Sequence, residues 1–149
     1  MVDSRDKGMR TEIIVRDLLR KHTGLKWERT PLSGALNAVH GLKADLYVPN
    51  EKNKYCIEVK GYAEDHLTSK LLTSKTPQLI TFWEQCIRQA DQVGREPLLI
   101  YKFDRSKCFV GFAKEPTQMY NYVTISVNDH LFHTAELETW LKYEKPIFV

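Results

Sequence analysis

Apolar residues recur at helical spacing between Lys7 and Lys21, where Thr11, Ile14, Val15, Leu18 and Leu19 form one stripe among charged neighbours. Gly24 stands where that helix should stop. The pattern then changes. Lys26 to Thr30 reads as a short strand and Pro31 to Gly41 as a loop rich in Ser, Gly and Asn. Leu42–Val48 and Lys54–Lys60 alternate in the way of two strands, and the turn-forming run Pro49-Asn50-Glu51-Lys52-Asn53 between them predicts a hairpin. Tyr62 to Thr76 shows no clear period. It contains two near-identical units ending in Lys70 and Lys75, too short to be a structural repeat, and reads as a loop. Leu79 to Val93 is helical in pattern, closed by Gly94 and followed by Pro97. Pro97–Phe103 is apolar enough for an interior strand. Cys108–Ala113 and Tyr122–Val127 predict two further strands, and Thr134–Tyr143 a terminal helix. A helix, three strands, a helix and more strands describe an α/β domain with one mixed sheet flanked by helices. No linker or shift of composition divides residues 1–149, so one domain is expected.

Composition narrows the class without deciding it. At 149 residues, 42% hydrophobic and 28% charged, the chain can bury one sizeable core. No apolar run approaches the roughly 20 residues that cross a bilayer, and the first residues lack the apolar centre of a secretory signal. The three cysteines (Cys56, Cys86, Cys108) are odd in number and form no CxxC pair. That pattern suits reduced thiols in a cytoplasmic setting and argues against structural zinc. The formal charge of +3 is unevenly spread. Residues 1–75 hold 14 Lys and Arg against 10 Asp and Glu, and residues 76–149 hold 8 against 9. The positive excess thus lies in the half that carries the most suggestive motif, and it suits a polyanionic partner.

That motif is Ile57-Glu58-Val59-Lys60, preceded by Ala44-Asp45-Leu46 across the expected hairpin. On a strand, Glu58 and Lys60 share one face while Ile57 and Val59 share the other. The apolar pair should anchor the strand and the charged pair should be displayed at a cleft, with Asp45 as the partner carboxylate. Acids gathered in one pocket repel unless a cation holds them. Magnesium takes hard oxygen ligands, commonly one or two carboxylates with waters and phosphate oxygens, so Asp45, Glu58 and the Val59 carbonyl form a candidate ligand set. No His or Cys within the motif favours zinc. Glu12, at the edge of the first helix's apolar stripe, is a candidate third acid. Lys60 is suited to orienting a water or stabilising charge on a transition-state phosphate. The same residues also fit a solvent-facing hairpin with a cross-strand salt bridge, and Glu12 also fits an ion pair with Arg16.

In order and spacing, Glu12, Asp45 and Glu58-Val59-Lys60 resemble the PD-(D/E)XK nuclease superfamily, and within it the Holliday junction resolvases of archaea and phages. The resemblance runs through Lys7-Gly8-Met9-Arg10-Thr11-Glu12, Arg29-Thr30-Pro31-Leu32-Ser33-Gly34-Ala35, Gly41-Leu42-Lys43-Ala44-Asp45-Leu46 and Tyr55 to Lys60. It continues through Phe82 to Ile100 and covers about residues 7–113. It implies a restriction-endonuclease-like core and an Mg²⁺-dependent endonuclease, with Mn²⁺ able to substitute. Glu12, Asp45 and Glu58 would be metal ligands and Lys60 the catalytic lysine. It also implies a homodimer that cuts branched DNA symmetrically in recombination, replication or repair, in the cytoplasm of a bacterial, archaeal or phage-infected cell. Ala44 stands where the superfamily commonly has proline, and the stretch after the catalytic strand is long.

Arg29, Ser33 and Lys43 border the expected site and are candidate phosphate contacts, as are Lys70 and Lys75. No helix-turn-helix or zinc-finger pattern is present, which favours recognition of DNA shape over base readout. Other readings remain open: a restriction, repair or nicking enzyme of the same superfamily, or a DNA-binding accessory protein without turnover. The five histidines show no metal-binding spacing, and Phe82 and Trp83 read as core or dimer contacts.

Overall fold

The first apolar stripe does form a helix, α1 (Ser4–Thr23), which buries Val15 and Leu19 completely. It ends at Gly24, whose φ of 73° and amide bond to the Arg20 carbonyl (2.9 Å) make the left-handed stop. The computed structural model describes residues 4–31 and 44–149. After α1 come β1 (Glu28–Arg29), β2 (Leu46–Tyr47), β3 (Tyr55–Tyr62) and a single helical turn, α2 (Lys70–Thr73). Then follow α3 (Gln78–Val93), β4 (Glu96–Phe103), β5 (Phe109–Phe112), β6 (Val123–Val127), β7 (His130–Glu136) and α4 (Leu137–Glu144).

The strands make one mixed sheet in the order β1-β2-β3-β4-β5-β7-β6. Among the described strands only β3 and β4 run parallel, in register from Tyr55 opposite Glu96 to Tyr62 opposite Phe103. Parallel neighbours need a crossover, and α3 supplies it. Side chains alternate along β4, so Leu98 and Ile100 enter one core while Leu99 and Tyr101 enter the other. The first core packs α1 and α4 against the sheet through Val15, Leu19, Ile57, Val59 and Trp140. The second packs α3 through Leu79, Phe82, Trp83 and Cys86, with Trp83 stacked on Phe132 at 4.4 Å. This is the α/β fold with a mixed central sheet flanked by helices expected above, consistent with a restriction-endonuclease-like core.

Three local readings need correction. The segment expected as a terminal helix from Thr134 is strand as far as Glu136, and the helix begins at Leu137. β7 is turned back from β6 by Asn128-Asp129, both at positive φ (50° and 65°), the conformation that two-residue hairpins require. Phe132, His133, Thr134 and Ala135 are all buried, so β7 shows no alternation that would mark it as a strand. The stretch from Tyr62 to Thr76 is not all loop, because α2 sinks Leu71 into the α3 core. Of the expected strand Leu42–Val48, only Leu46–Tyr47 is strand among the described residues.

At one point the backbone itself decides the packing. A Cβ on Gly61 would run into the Thr11 hydroxyl and lie 3.0 Å from Thr11 Cβ, so the missing side chain lets α1 settle on the end of β3.

Candidate active site

β3 is covered on both faces, by α1 on one and α3 on the other, so Cys56, Ile57, Glu58 and Val59 are all buried. The expectation that Glu58 is displayed at a cleft is therefore corrected: it keeps only 4% exposure. Asp45, partly exposed, enters β2 and is held by three bonds. Its amide donates to the Ile57 carbonyl (2.7 Å), its carbonyl accepts from the Thr30 amide (3.0 Å), and its Oδ2 accepts from the Val59 amide (2.7 Å). These bonds set Asp45 beside Glu58, and the two carboxyls are hydrogen-bonded to each other.

Two carboxyls can share a hydrogen bond only if one keeps a proton. Here the pair shares one proton. Burial first, and then the charge of Asp45, pushes the Glu58 pKa up to about 9, against the pull of Lys60. Burial also raises Asp45, opposed by the Val59 amide and then by Lys60. The two acids and the lysine thus form one electrostatic unit.

Glu12 reaches this unit from α1. Its Oε1 accepts from Arg29 Nε at 3.1 Å, and both side chains are largely buried. Burial and then the nearby Asp45 charge raise its pKa, while Arg29 lowers it. Arg16, the other partner considered for Glu12, bonds Asp17 instead at 3.1 Å. Arg29 was expected to face phosphate. It is committed to Glu12 and also lowers the pKa of Asp45, so it supplies positive charge to the acids directly. Lys60 Nζ lies 5.7 Å from the centroid of the Phe82 ring.

The acids suit a hard divalent cation, since they are oxygen donors and cannot all ionise together without added positive charge. Among the described residues, however, no three His, Cys, Asp or Glu side chains stand together as a metal-binding group. Glu12 is drawn aside to Arg29, and Asp45 and Glu58 bond each other. Of the expected phosphate contacts, Ser33 and Lys43 lie outside the described residues. Lys70 and Lys75 are exposed, on α2 and beyond it. The Lys75 carbonyl accepts from Asn128 Nδ2 at 3.2 Å, which ties that end of the segment to the β6–β7 turn.

Sequence reasoning missed the aromatic bed under Lys60. Phe82 stacks on Tyr62 at 4.6 Å, and His66 meets both rings edge-on at 5.6 and 5.4 Å. Tyr62 was within reach, since it follows Lys60 by two and so shares its face of β3. Phe82 and His66 come from separate elements and give no local signal.

Comparison with known proteins places the chain more narrowly. Residues 3–145 match the family described as "Phage putative PDDEXK endonuclease". The chain is 38% identical over 150 aligned residues to Protein D14 of Escherichia phage T5, covering 95% of this chain and 94% of that one. Both matches run past Ala113, where the resemblance read from the sequence ends. Among solved structures, a Holliday junction resolvase of Archaeoglobus fulgidus, Hjc, aligns over 90% of each chain at 18% identity and a TM-score of 0.43.

Proposed function

The chain belongs to this phage PDDEXK endonuclease family, within the PD-(D/E)XK nuclease superfamily, and from that premise we propose that it is an Mg²⁺-dependent endodeoxyribonuclease that cuts branched DNA as a homodimeric Holliday junction resolvase. The observation that carries the nuclease reading is the hydrogen-bonded Asp45–Glu58 pair, with Glu58 buried and Lys60 two residues beyond. Holding a second acid against a buried one costs several kcal/mol if both ionise, and a hydrophobic pair would serve folding better. Such a cost is expected where the acids have chemical work.

Asp45 and Glu58 would hold the metal through their carboxylate oxygens, with the Val59 carbonyl and Glu12 as further donors. When bound, Mg²⁺ or Mn²⁺ supplies Lewis-acid polarisation of the scissile phosphate and a water of lowered pKa. To serve as a ligand Glu58 would release the shared proton to solvent, and the ammonium of Lys60 would offset the charge left behind. Lys60 would also stabilise the charge that develops on the phosphate oxygens. Arg29 balances Glu12 until substrate arrives. Arg29, Ser33, Lys43, Lys70 and Lys75 are the proposed backbone contacts, which position DNA without reading its sequence.

The branched substrate is supported by the resemblance of residues 7–12, 29–35, 41–46 and 55–60 to junction resolvases. Symmetric cutting of a junction needs two active sites, hence the homodimer. The test is an end-labelled four-way junction beside a duplex of the same sequence, with Mg²⁺ or with EDTA. Paired nicks on the junction alone, absent in EDTA, are expected. Equal cutting of both DNAs would remove the resolvase and leave the nuclease. No cutting of either by folded protein would refute both.

A further inference from the structure

The ends of β3 and β4 open into a cleft of about 600 Å³ that, among the described residues, none of the proposed site residues lines. It lies between the first turns of α1, Gly61 and Tyr62 at the end of β3, and the turn that leaves β4. Lys7, Arg10, Lys102 and Arg105 surround it, and Asp104 is the one acid lining it among the described residues. Asp104 is bonded to Lys7 at 2.6 Å, so the lining keeps a positive excess. Lys102 lies opposite Gly61 across the parallel pair and therefore shares the α1 side of the sheet. Lys60 leaves the other side, so the cleft flanks the carboxylates and does not overlap them. Ligands of parallel strands gather beyond their carboxyl ends, and β3 and β4 are the parallel pair of this sheet.

We propose that this cleft binds the DNA sugar-phosphate backbone next to the scissile phosphate, with Lys102 and Arg105 as phosphate contacts; the inference rests on the nuclease reading above. From Lys60 to Tyr62 the strand advances about 7 Å, which matches the axial rise of about two nucleotides. A strand crossing the ends of β3 and β4 thus passes from the catalytic lysine into the basic cleft. The closeness of α1 to Gly61 sets Arg10 and Lys7 along the opposite wall. The contacts are to phosphate, so the cleft adds affinity and register without sequence preference.

The test uses the double variant Lys102→Gln/Arg105→Asn; asparagine is chosen because Arg105 sits at φ 64°, which asparagine tolerates. Binding of a fluorescein-labelled duplex and four-way junction is measured in EDTA from 50 to 300 mM salt. Loss of two phosphate contacts should reduce the slope of log K against log salt by about 1.8. Affinity should fall at least tenfold, and in Mg²⁺ the loss should enter KM more than kcat. Lys21→Gln/Lys52→Gln, exposed positions away from the cleft, is the charge-matched control. If the double variant does not fold, Arg10→Gln on the other wall should lower the slope by about 0.9. A wild-type slope, or an equal loss in the control, would overturn the inference while cleavage by the wild type kept the nuclease reading. A wild type with neither cleavage nor salt-dependent binding would sink both.

Discussion

The proton shared by Asp45 and Glu58 makes a sharp prediction about stability. Glu58 titrates near 4.5 when unhindered and at about 9 in the folded chain. Below the lower value both states carry the proton, and the group leaves stability unchanged. As pH rises through the window the unfolded chain releases a proton that the folded chain retains, so stability falls. The slope is about 1.4 kcal/mol per pH unit for one proton, or about 3 kcal/mol between pH 5 and 7.5. The loss continues until the folded pKa is passed. Glu58→Gln has nearly the shape and hydrogen-bonding capacity of the protonated acid and cannot titrate. It should match the wild type at pH 5 and exceed it by about 3 kcal/mol at pH 7.5. Urea unfolding in EDTA at a series of pH values measures this directly. Parallel wild-type and variant curves would mean that the pair holds no proton, and the electrostatic account of the site would fail.

Metal binding to the folded chain alone should stabilise it: at ten times Kd, Mg²⁺ adds about 1.4 kcal/mol, seen as a rise of about 3–5 °C in Tm. Asp45→Asn should show no rise, and a normal rise there would remove Asp45 from the ligand set. Lys60→Met should lower cleavage about 10²–10³-fold; near-normal turnover in a single-turnover assay would deny Lys60 its role. Gly61→Ala should cost about 1–3 kcal/mol by forcing α1 off β3. Adding Thr11→Ala should recover part of that loss in a double-mutant cycle, whereas strict additivity would mean that the close approach is not its cause.

The helices around the site are legible in the sequence because their signals are local. The stripe of α1 and the glycines at 24 and 94, both at positive φ, need no tertiary context. The hairpin bringing Asp45 to β3 is legible for the same reason, with Asn50 taking the left-handed position in its turn. β7 is hidden because burial on both faces erases the period that marks a strand. At the site, the alternation of Glu58 and Lys60 is readable, but the burial of Glu58 depends on α3, which follows 20 residues later. The Glu12–Arg29 pair spans 17 residues and joins a helix to a strand, so the local rule that suggested Arg16 had no access to it. The bed of Tyr62, His66 and Phe82 likewise exists only once the crossover is folded.

DNA cleavage by the acids of this site, together with a divalent cation, is the proposed activity. Its most direct measurement is nicking of a supercoiled plasmid and of a labelled four-way junction by wild type and Glu58→Gln, in Mg²⁺ and in EDTA. Cleavage is expected from the wild type in Mg²⁺ only, and none from the variant even though it folds more stably at neutral pH. Undiminished cleavage by Glu58→Gln, or cleavage in EDTA, would contradict it.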